Sequence, residues 1–438
     1  MITREVMKME HGLLNKTPFK RLVVAAMLGV GTSIAPLVLL SFGLSTFIVI
    51  RIVGQEHATA AFATATGISG IAVVLFGLLS GVIADKTKVK MGRRRFWMIV
   101  GSIGGALSML SLTYASSIPM FILSMCLVNF FYGMVSLACY AIVPEQVEPE
   151  KYGRVAGLIG ASAPAFVMTG QMIMGAFADS TLEQKMITII IVQLIGGFLA
   201  ASLIKDNSFA GITTSEKKSL GLRGFYPSFK QHPSYTWALL TKLFINFSNA
   251  GMGMLVLFYI TRFHLGEADI FKIMGLTAPA IMLMVVAGIL GGFLSDKVKK
   301  QKPFVMGAAL ITGLCLIAFA FSTNVTWVIV GNFIFNFGFG MYNAVDNALV
   351  NRILPSKEQA AKDISIMNTT TSLSSTLVNF AAPSIIALGV SLFGGDGYTL
   401  FFLVLAAFSI LSAVVVIPIP EMDPKAKDGK APDTEVVA

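Results

Sequence analysis

The chain has 438 residues, 55% of them hydrophobic and 13% charged, with a mean hydropathy of +0.77 and a formal net charge of +10. Ordinary soluble domains carry about 25% charged residues, so this composition excludes a water-soluble globular protein and indicates a polytopic membrane protein. In such a chain a basic excess sets topology more often than it marks a nucleic-acid surface, so the position of the cations matters more than their number.

The first stretch, "MITREVMKMEHGLLNKTPFKRL", is charged throughout. The apolar run after it is longer than a signal-peptide core and has no convincing cleavage site, so it reads as a first span and not a removed leader. A span needs about 20 mostly apolar residues. Such runs fall at 22–46, 59–84, 96–115, 119–143, 155–178 and 184–204, then at 236–260, 270–293, 303–321, 326–350, 364–388 and 399–419. Residues 1–204 thus form one six-helix half, 205–235 a polar cytoplasmic linker and 236–420 a second half. The tail, 421–438, is rich in Lys, Asp and Pro and reads as disordered and cytoplasmic.

Charge placement gives this map an orientation. With the first segment in the cytoplasm, outer loops hold Arg51, Lys185, Arg262 and Lys272, Lys242 lies within the seventh span, and the other 28 of the 33 Lys and Arg face inward. That asymmetry places both ends of the chain inside, in a plasma or bacterial inner membrane. Six of these cations, Lys86, Lys88, Lys90, Arg93, Arg94 and Arg95, crowd the connection between spans 2 and 3, where they meet anionic lipid headgroups.

The halves repeat each other. "GLLSGVIADK" (77–86) returns as "GILGGFLSDK" (288–297), offset by 211 residues, and "GMVSLACYAIV" (133–143) returns as "GMYNAVDNALV" (340–350), offset by 207. Both repeats keep their membrane orientation, as expected for two halves related by an axis along the membrane normal. The fold class is therefore an all-α membrane protein of twelve transmembrane helices in two pseudo-symmetric halves. Internal duplication of this kind is the architecture of an alternating-access transporter.

Other chemistries find little support. Cys126, Cys139 and Cys315 sit in apolar runs without metal-ligand spacing, and the four histidines fall in loops or the first segment. No strand precedes a glycine-rich turn, and no nucleophile, base and orienting residue stand at motif spacing. The sequence gives no reason to expect an enzyme, a metal or a cofactor.

The chain resembles the major facilitator superfamily over roughly residues 20–420. Gly81-x-x-x-Asp85-Lys86 followed by Gly92-Arg93-Arg94-Arg95 is similar to the superfamily's loop motif, with extra residues between its two parts. That spacing, with "AIVPEQVEPEKYGRVAGLIG" (141–160) and "AVDNALVNRILPSKEQAAKD" (344–363), looks like the glycoside–pentoside–hexuronide symporters and the sucrose-type transporters. The chain departs from melibiose-type sodium symporters, which carry acids within helix 2 and on helix 4. Here helix 2 has none before Asp85 and helix 4 has none, which argues against sodium coupling of that type.

The resemblance implies that spans 1, 4, 7 and 10 line a central cavity, and that Asp85 and the arginines latch the two halves, with Asp296 as a weaker counterpart. Helical phase can be checked at 100° per residue. Asn332, Asn336, Gly340, Asn343, Asp346 and Asn347 share about 120° of span 10, and span 4 repeats the pattern with Asn129, Gly133, Ser136, Cys139 and Tyr140, with Tyr132 nearby. Span 7 presents Lys242, Asn246, Asn249 and Gly253, and span 1 presents Thr32 and Ser33 near Pro36. Small and polar residues also serve helix packing, but as a duplicated set they read as a substrate cavity. The expected ligand contacts are Thr32, Ser33, Asn129, Tyr132, Tyr140, Asn246, Asn249, Asn336 and Asn343, which suit an uncharged polyhydroxy solute.

Lys242 and Asp346 lie at similar depth near the cytoplasmic ends of their spans. They are expected to form a cytoplasmic gate pair, made when the protein opens outward and broken when it opens inward, and protonation of Asp346 would offer a route to proton coupling. The alternatives are that each snorkels to the headgroups or that Asp346 pairs with Arg352. The functional reading is a monomeric secondary transporter that imports a neutral sugar, glycoside or related small polar solute with protons. Two other readings stay open, an efflux carrier for amphipathic compounds and a non-transporting receptor on the same fold.

Overall fold

The computed structural model describes residues 17–87, 89–206, 233–353 and 360–419. Among these, twelve helices are long and apolar enough to cross a membrane, and the protein is a multi-pass membrane protein. They are α1 (Phe19–Val53), α2 (Gln55–Lys86), α3 (Arg93–Thr113), α4 (Ile118–Gln146), α5 (Tyr152–Ala176) and α6 (Leu182–Leu203) in the first half. The second half holds α7 (Pro233–Phe263), α8 (Glu267–Val298), α9 (Lys302–Ala320), α10 (Val325–Ile353), α11 (Ala360–Phe393) and α12 (Tyr398–Val415). Most of the linker and the tail after residue 419 lie outside the described residues.

The helices run several residues past the apolar runs at many ends, because polar residues remain helical once backbone bonding is under way. Ends are set locally. Thr181 and Gln184 form a reciprocal capping box at the start of α6, with Gln184 N–H donating to Thr181 Oγ1 at 3.3 Å and Thr181 N–H to Gln184 Oε1 at 3.1 Å. The start of α3 is capped from a distance. The Asp206 carboxylate accepts from the backbone N–H of Arg94 at 2.7 Å and of Arg95 at 3.1 Å, where the helix dipole favours an anion. Gly92 permits this approach: its φ is +94°, and a Cβ there would stand 2.4 Å from the Asp206 carboxyl.

Three helices are broken near mid-membrane. In α1 the stretch Leu40–Leu44 is a π-helical turn, in α7 Met252–Met254 is a 3-10 turn, and Pro279 restarts α8. The breaks in α1 and α7 fall at equivalent places, since Gly43 plus the repeat offset of 211 is Met254. The two segments meet across the halves beside the cavity described below.

We call the face that carries Phe19, Leu203, Pro233 and Val415 proximal and the opposite face distal. At the distal face an arginine organises each half. Arg51, ending α1, donates to the Thr113 carbonyl at the end of α3 and pairs with Glu183 in the first turn of α6 at 2.7 Å. Arg262, ending α7 and 211 residues later, donates to the Phe319 and Ala320 carbonyls at the end of α9 and to Thr399 Oγ1 in α12. It also grips Asp396 through two parallel bonds of 2.6 and 2.7 Å. The duplication thus preserved a clasp joining the first, third and sixth helix of each half, although the sequence reading saw these arginines only as outer-loop charges.

The two clasps differ in burial. The Arg262 and Asp396 side chains are 15% and 11% exposed, whereas Arg51 and Glu183 are 37% and 38% exposed. Removing one partner of a buried pair costs about 3–5 kcal/mol, while an exposed pair contributes about 1 kcal/mol or less. Arg262→Ala is therefore expected to lower the unfolding midpoint in detergent far more than Arg51→Ala, and equal shifts would contradict the difference in burial.

Candidate functional site

A cavity of about 300 Å³ lies between the halves, at the low end of the range for small-molecule sites. Its walls come from α1, α2 and α4 of the first half and from α7 and α11 of the second. Ten of the lining residues are Ser, Thr or Asn, the rest are apolar or glycine, and none is ionisable. Polar side chains at this depth cannot face lipid without cost, so a shared concavity is where they belong.

Three of the expected ligand contacts line it: Asn129, Asn246 and Asn249. Asn129 Nδ2 donates to the Met125 carbonyl at 2.8 Å, and Asn246 Nδ2 to the Lys242 carbonyl at 2.8 Å and to Thr370 Oγ1 at 3.4 Å. The other six lie elsewhere. Thr32 packs on Gly196 of α6, and Ser33 shares a partly buried hydrogen bond of 2.8 Å with Ser136 that ties α1 to α4. Tyr132 is fully buried against Gly105 of α3, with its hydroxyl 3.6 Å from Met109 Sδ. Tyr140 is 46% exposed outside the cavity. Asn336 donates to the Asn332 carbonyl and to Asn332 Oδ1, and Asn343 is half-buried away from the cavity.

The expectation that helix 10 lines the cavity is thereby corrected. A Cβ on Gly340 would stand 2.1 Å from the Met284 carbonyl, so the small-residue face of α10 is pressed onto α8. The wall expected from α10 is supplied by α11 through Thr371, Ser372, Ser375 and Asn379, and by α2 through Thr66 and Ser69. Their signal was present in "NTTTSLSST" (368–376), and the four α11 residues fall within about 100° of one another. The α4–α10 repeat points to α10 as the counterpart of α4, but only α4 of that pair reaches the cavity.

Lys242 and Asp346 do meet, with Nζ 3.5 Å from Oδ2, and both are buried. Asp346 Oδ1 also accepts from the Tyr342 hydroxyl at 3.4 Å. Both residues belong to the second half, because α7 and α10 are neighbours there. The pair therefore does not bridge the halves, so parting the halves would not by itself break the expected gate contact. It sits one turn from the cavity, joined to it through the Asn246–Lys242 bond.

At the proximal face Arg93 and Arg94 both hold Glu145 of α4, at 2.6 and 2.8 Å. The Arg94 guanidinium is almost fully buried in the first half, and the Arg95 backbone is held by Asp206. These bonds lie within the first half, where the sequence reading expected contacts to the second. The Asp85 side chain, like that of Asn347, lies outside the described residues, and Asp296 is exposed near the end of α8.

The distal face is closed by contacts between the halves. Lys185 of α6 is fully buried, donates to the Ser180 carbonyl at 2.6 Å, pairs with Glu267 of α8 at 3.0 Å and stands 4.3 Å over the Phe271 ring. The Lys272–Asp179 pair, 3.2 Å and exposed, adds a rim contact. Beneath them Gly175 of α5 and Gly275 of α8 cross so closely that a Cβ on either would lie within 3 Å of the other's Cα.

The sequence matches the Major Facilitator Superfamily over residues 22–379. No curated protein matches the sequence. Among solved structures, the nucleoside transporter NupG is similar at a TM-score of 0.68 and 12% identity, over 90% of this chain and 98% of that one. A D-xylose–proton symporter is similar at 0.66 and 12% identity, over 92% and 97%. A bacterial homolog of the human lysosomal transporter Spinster, inward-facing and occupied, is similar at 0.64 and 16% identity, over 92% and 98%. At these identities the likeness is one of fold.

Two predictions follow from the geometry. Lys242→Met or Asp346→Leu alone leaves a buried charge unpaired and should cost about 3–5 kcal/mol, whereas the double variant should cost less than either single. Thermal unfolding of the three variants decides this, and additive losses would rule out the pairing. Gly175→Val cannot be accommodated in the closed distal crossing. It should raise severalfold the labelling rate, from the distal side, of a cysteine placed at Ala250, and an unchanged rate would refute the crossing as a closure.

Proposed function

The chain belongs to the Major Facilitator Superfamily, and from that premise we propose that this transporter imports a neutral, hydroxyl-rich solute with protons by alternating access. The substrate class is sugars, glycosides and related small polar solutes. The observation that carries this reading is a cavity between the halves lined by ten neutral hydrogen-bonding side chains and no ionisable one. A strongly ionic solute would there be stripped of water with no counter-charge to receive it. The motif spacing from Gly81 to Arg95 supports a place beside the glycoside–pentoside–hexuronide and sucrose-type branches.

The proximal face is assigned to the cytoplasm because it collects the basic connections. With the distal face shut by Lys185–Glu267 and the Gly175–Gly275 crossing, the conformation described is then the inward-facing one. Loop cations at the proximal face meet anionic headgroups, and the transporting unit is a monomer, since each chain supplies both walls of its cavity.

Proton coupling is assigned to Asp346. Protonation removes the attraction that holds Lys242, and Lys242 is bonded through its carbonyl to the cavity residue Asn246. Occupancy and charge state thus act on the same turn of α7.

Purified protein in liposomes, assayed for accumulation of labelled sugars and glycosides under an inward proton gradient, tests the proposal. Gradient-driven accumulation is expected. Asp346→Asn should abolish the dependence on the gradient while leaving solute exchange measurable. Proton leak stimulated by amphipathic drugs without sugar uptake would indicate efflux instead, and silence across the panel would favour a receptor.

A further inference from the structure

The cavity's two walls differ in what they have left to offer a ligand. On the first-half wall every hydroxyl has committed its proton. Ser41 donates to the Leu37 carbonyl at 2.9 Å, Thr66 to Phe62 at 2.7 Å and Ser69 to Ala65 at 2.8 Å. Asn129 commits one amide hydrogen to Met125 in the same way. A hydroxyl has one proton and two lone pairs, so this wall turns mainly acceptor oxygens toward the cavity.

The second-half wall is the reverse. Thr370 and Ser374, two buried hydroxyls of α11, donate to the Met367 and Leu243 carbonyls. Thr371, Ser372, Ser375 and Asn379, the α11 residues that face the cavity, make no intramolecular hydrogen bond among the described residues, and neither does Asn249 of α7. Asn379 is nevertheless 91% buried, at 9% exposure. Polar groups at such burial are normally satisfied, and Asn379 lines the cavity, where a solute can bond its amide. Of the α11 hydroxyls, Thr370 and Ser374 are thus satisfied within the protein, while Thr371, Ser372 and Ser375 keep their protons available to the cavity.

We infer that α11 is the specificity-determining wall, with Ser372, Ser375 and Asn379 reading the solute, and that the recognised solute is a neutral polyol presenting several O–H donors to the α1–α2–α4 wall. The inference rests on the reading of the cavity as a neutral-solute site. It goes further by naming which helix discriminates and which hydrogen-bond polarity is selected. Solutes that carry only acceptors, such as fully O-methylated sugars, meet on the α1–α2–α4 wall hydroxyl oxygens whose protons are already committed. The second amide hydrogen of Asn129 is the one side-chain donor left among that wall's lining residues. Carboxylates and phosphates meet the same wall with a charge added, and no cation lines the cavity to offset it.

The test is ligand stabilisation of the full-length protein in detergent, titrated with three matched sets. The first contains xylose, sucrose, methyl glucoside and inositol, the second their O-methylated counterparts, and the third glucuronate and glucose 6-phosphate. Stabilisation by members of the first set and not by the others is expected. Ser375→Ala and Asn379→Ala should each weaken that binding by about three- to tenfold. Ser375→Thr, which keeps the hydroxyl, should retain it, and Ser391→Ala, on the same helix outside the cavity, should leave it unchanged. Each variant's own unfolding midpoint without solute separates a loss of recognition from a loss of folding.

Binding of the first set with unaltered affinity in both alanine variants would overturn the role of α11 and leave the transport proposal standing. Equal or tighter binding of the O-methylated or anionic sets would overturn the inferred polarity. No binding in any set would overturn the neutral-solute reading itself, and this inference with it.

Discussion

Hydrocarbon offers a polar group nothing to bond to, and from that one constraint the organisation of this protein follows at every scale. It forces the backbone into helices, whose hydrogen bonds close within each segment. It then sorts the side chains. A serine or threonine in a span can donate to the carbonyl one turn back, as Ser69 and Thr66 do, or cross to a neighbouring helix, as Ser33 does to Ser136. Charged groups need more, and Arg262 finds it by bonding two carbonyls, a hydroxyl and both oxygens of Asp396. A cluster of neutral polar side chains, ten of them Ser, Thr or Asn, lines the cavity where the two halves meet.

The same constraint links closure to exposure. Lys185 is a cation in the first turn of a helix, where the dipole disfavours it, and it is tolerated because a carbonyl, Glu267 and the Phe271 ring surround it. Two of those three groups belong to the other half, so parting the halves at the distal face removes most of its partners. The Gly175–Gly275 crossing works by shape and not by charge, since backbones meet only where both side chains are missing. Electrostatics and close packing thus favour the same closed distal face. Within each half the arginine clasps join the first, third and sixth helices.

Much of this was legible in the sequence. Twelve apolar runs, the repeat offsets of 211 and 207, and the placement of basic residues contain the architecture, because span length and duplication are one-dimensional properties. Asn129, Asn246 and Asn249 were found because helical phase alone brought them to one face. The pairing of Lys242 with Asp346 was also legible, since depth in the membrane can be counted along each span. Phase does not say which neighbour a face will meet, however. The polar stripe of α10 has the right periodicity for a cavity wall, yet Gly340 presses it onto α8. Tyr132 and Thr32 have suitable chemistry and depth, yet Gly105 and Gly196 open space for them inside the first half.

The sequence by itself determined a membrane protein of two related six-helix halves, because the energy of placing residues in hydrocarbon depends on local composition and sums along the chain. Only the tertiary structure decided that α11 and α2 take the place expected of α10, and that Arg93 and Arg94 are held by Glu145. It also decided that the Lys242–Asp346 pair lies within one half. Those outcomes depend on which glycines let which helices approach, a property of pairs of surfaces that no single segment encodes.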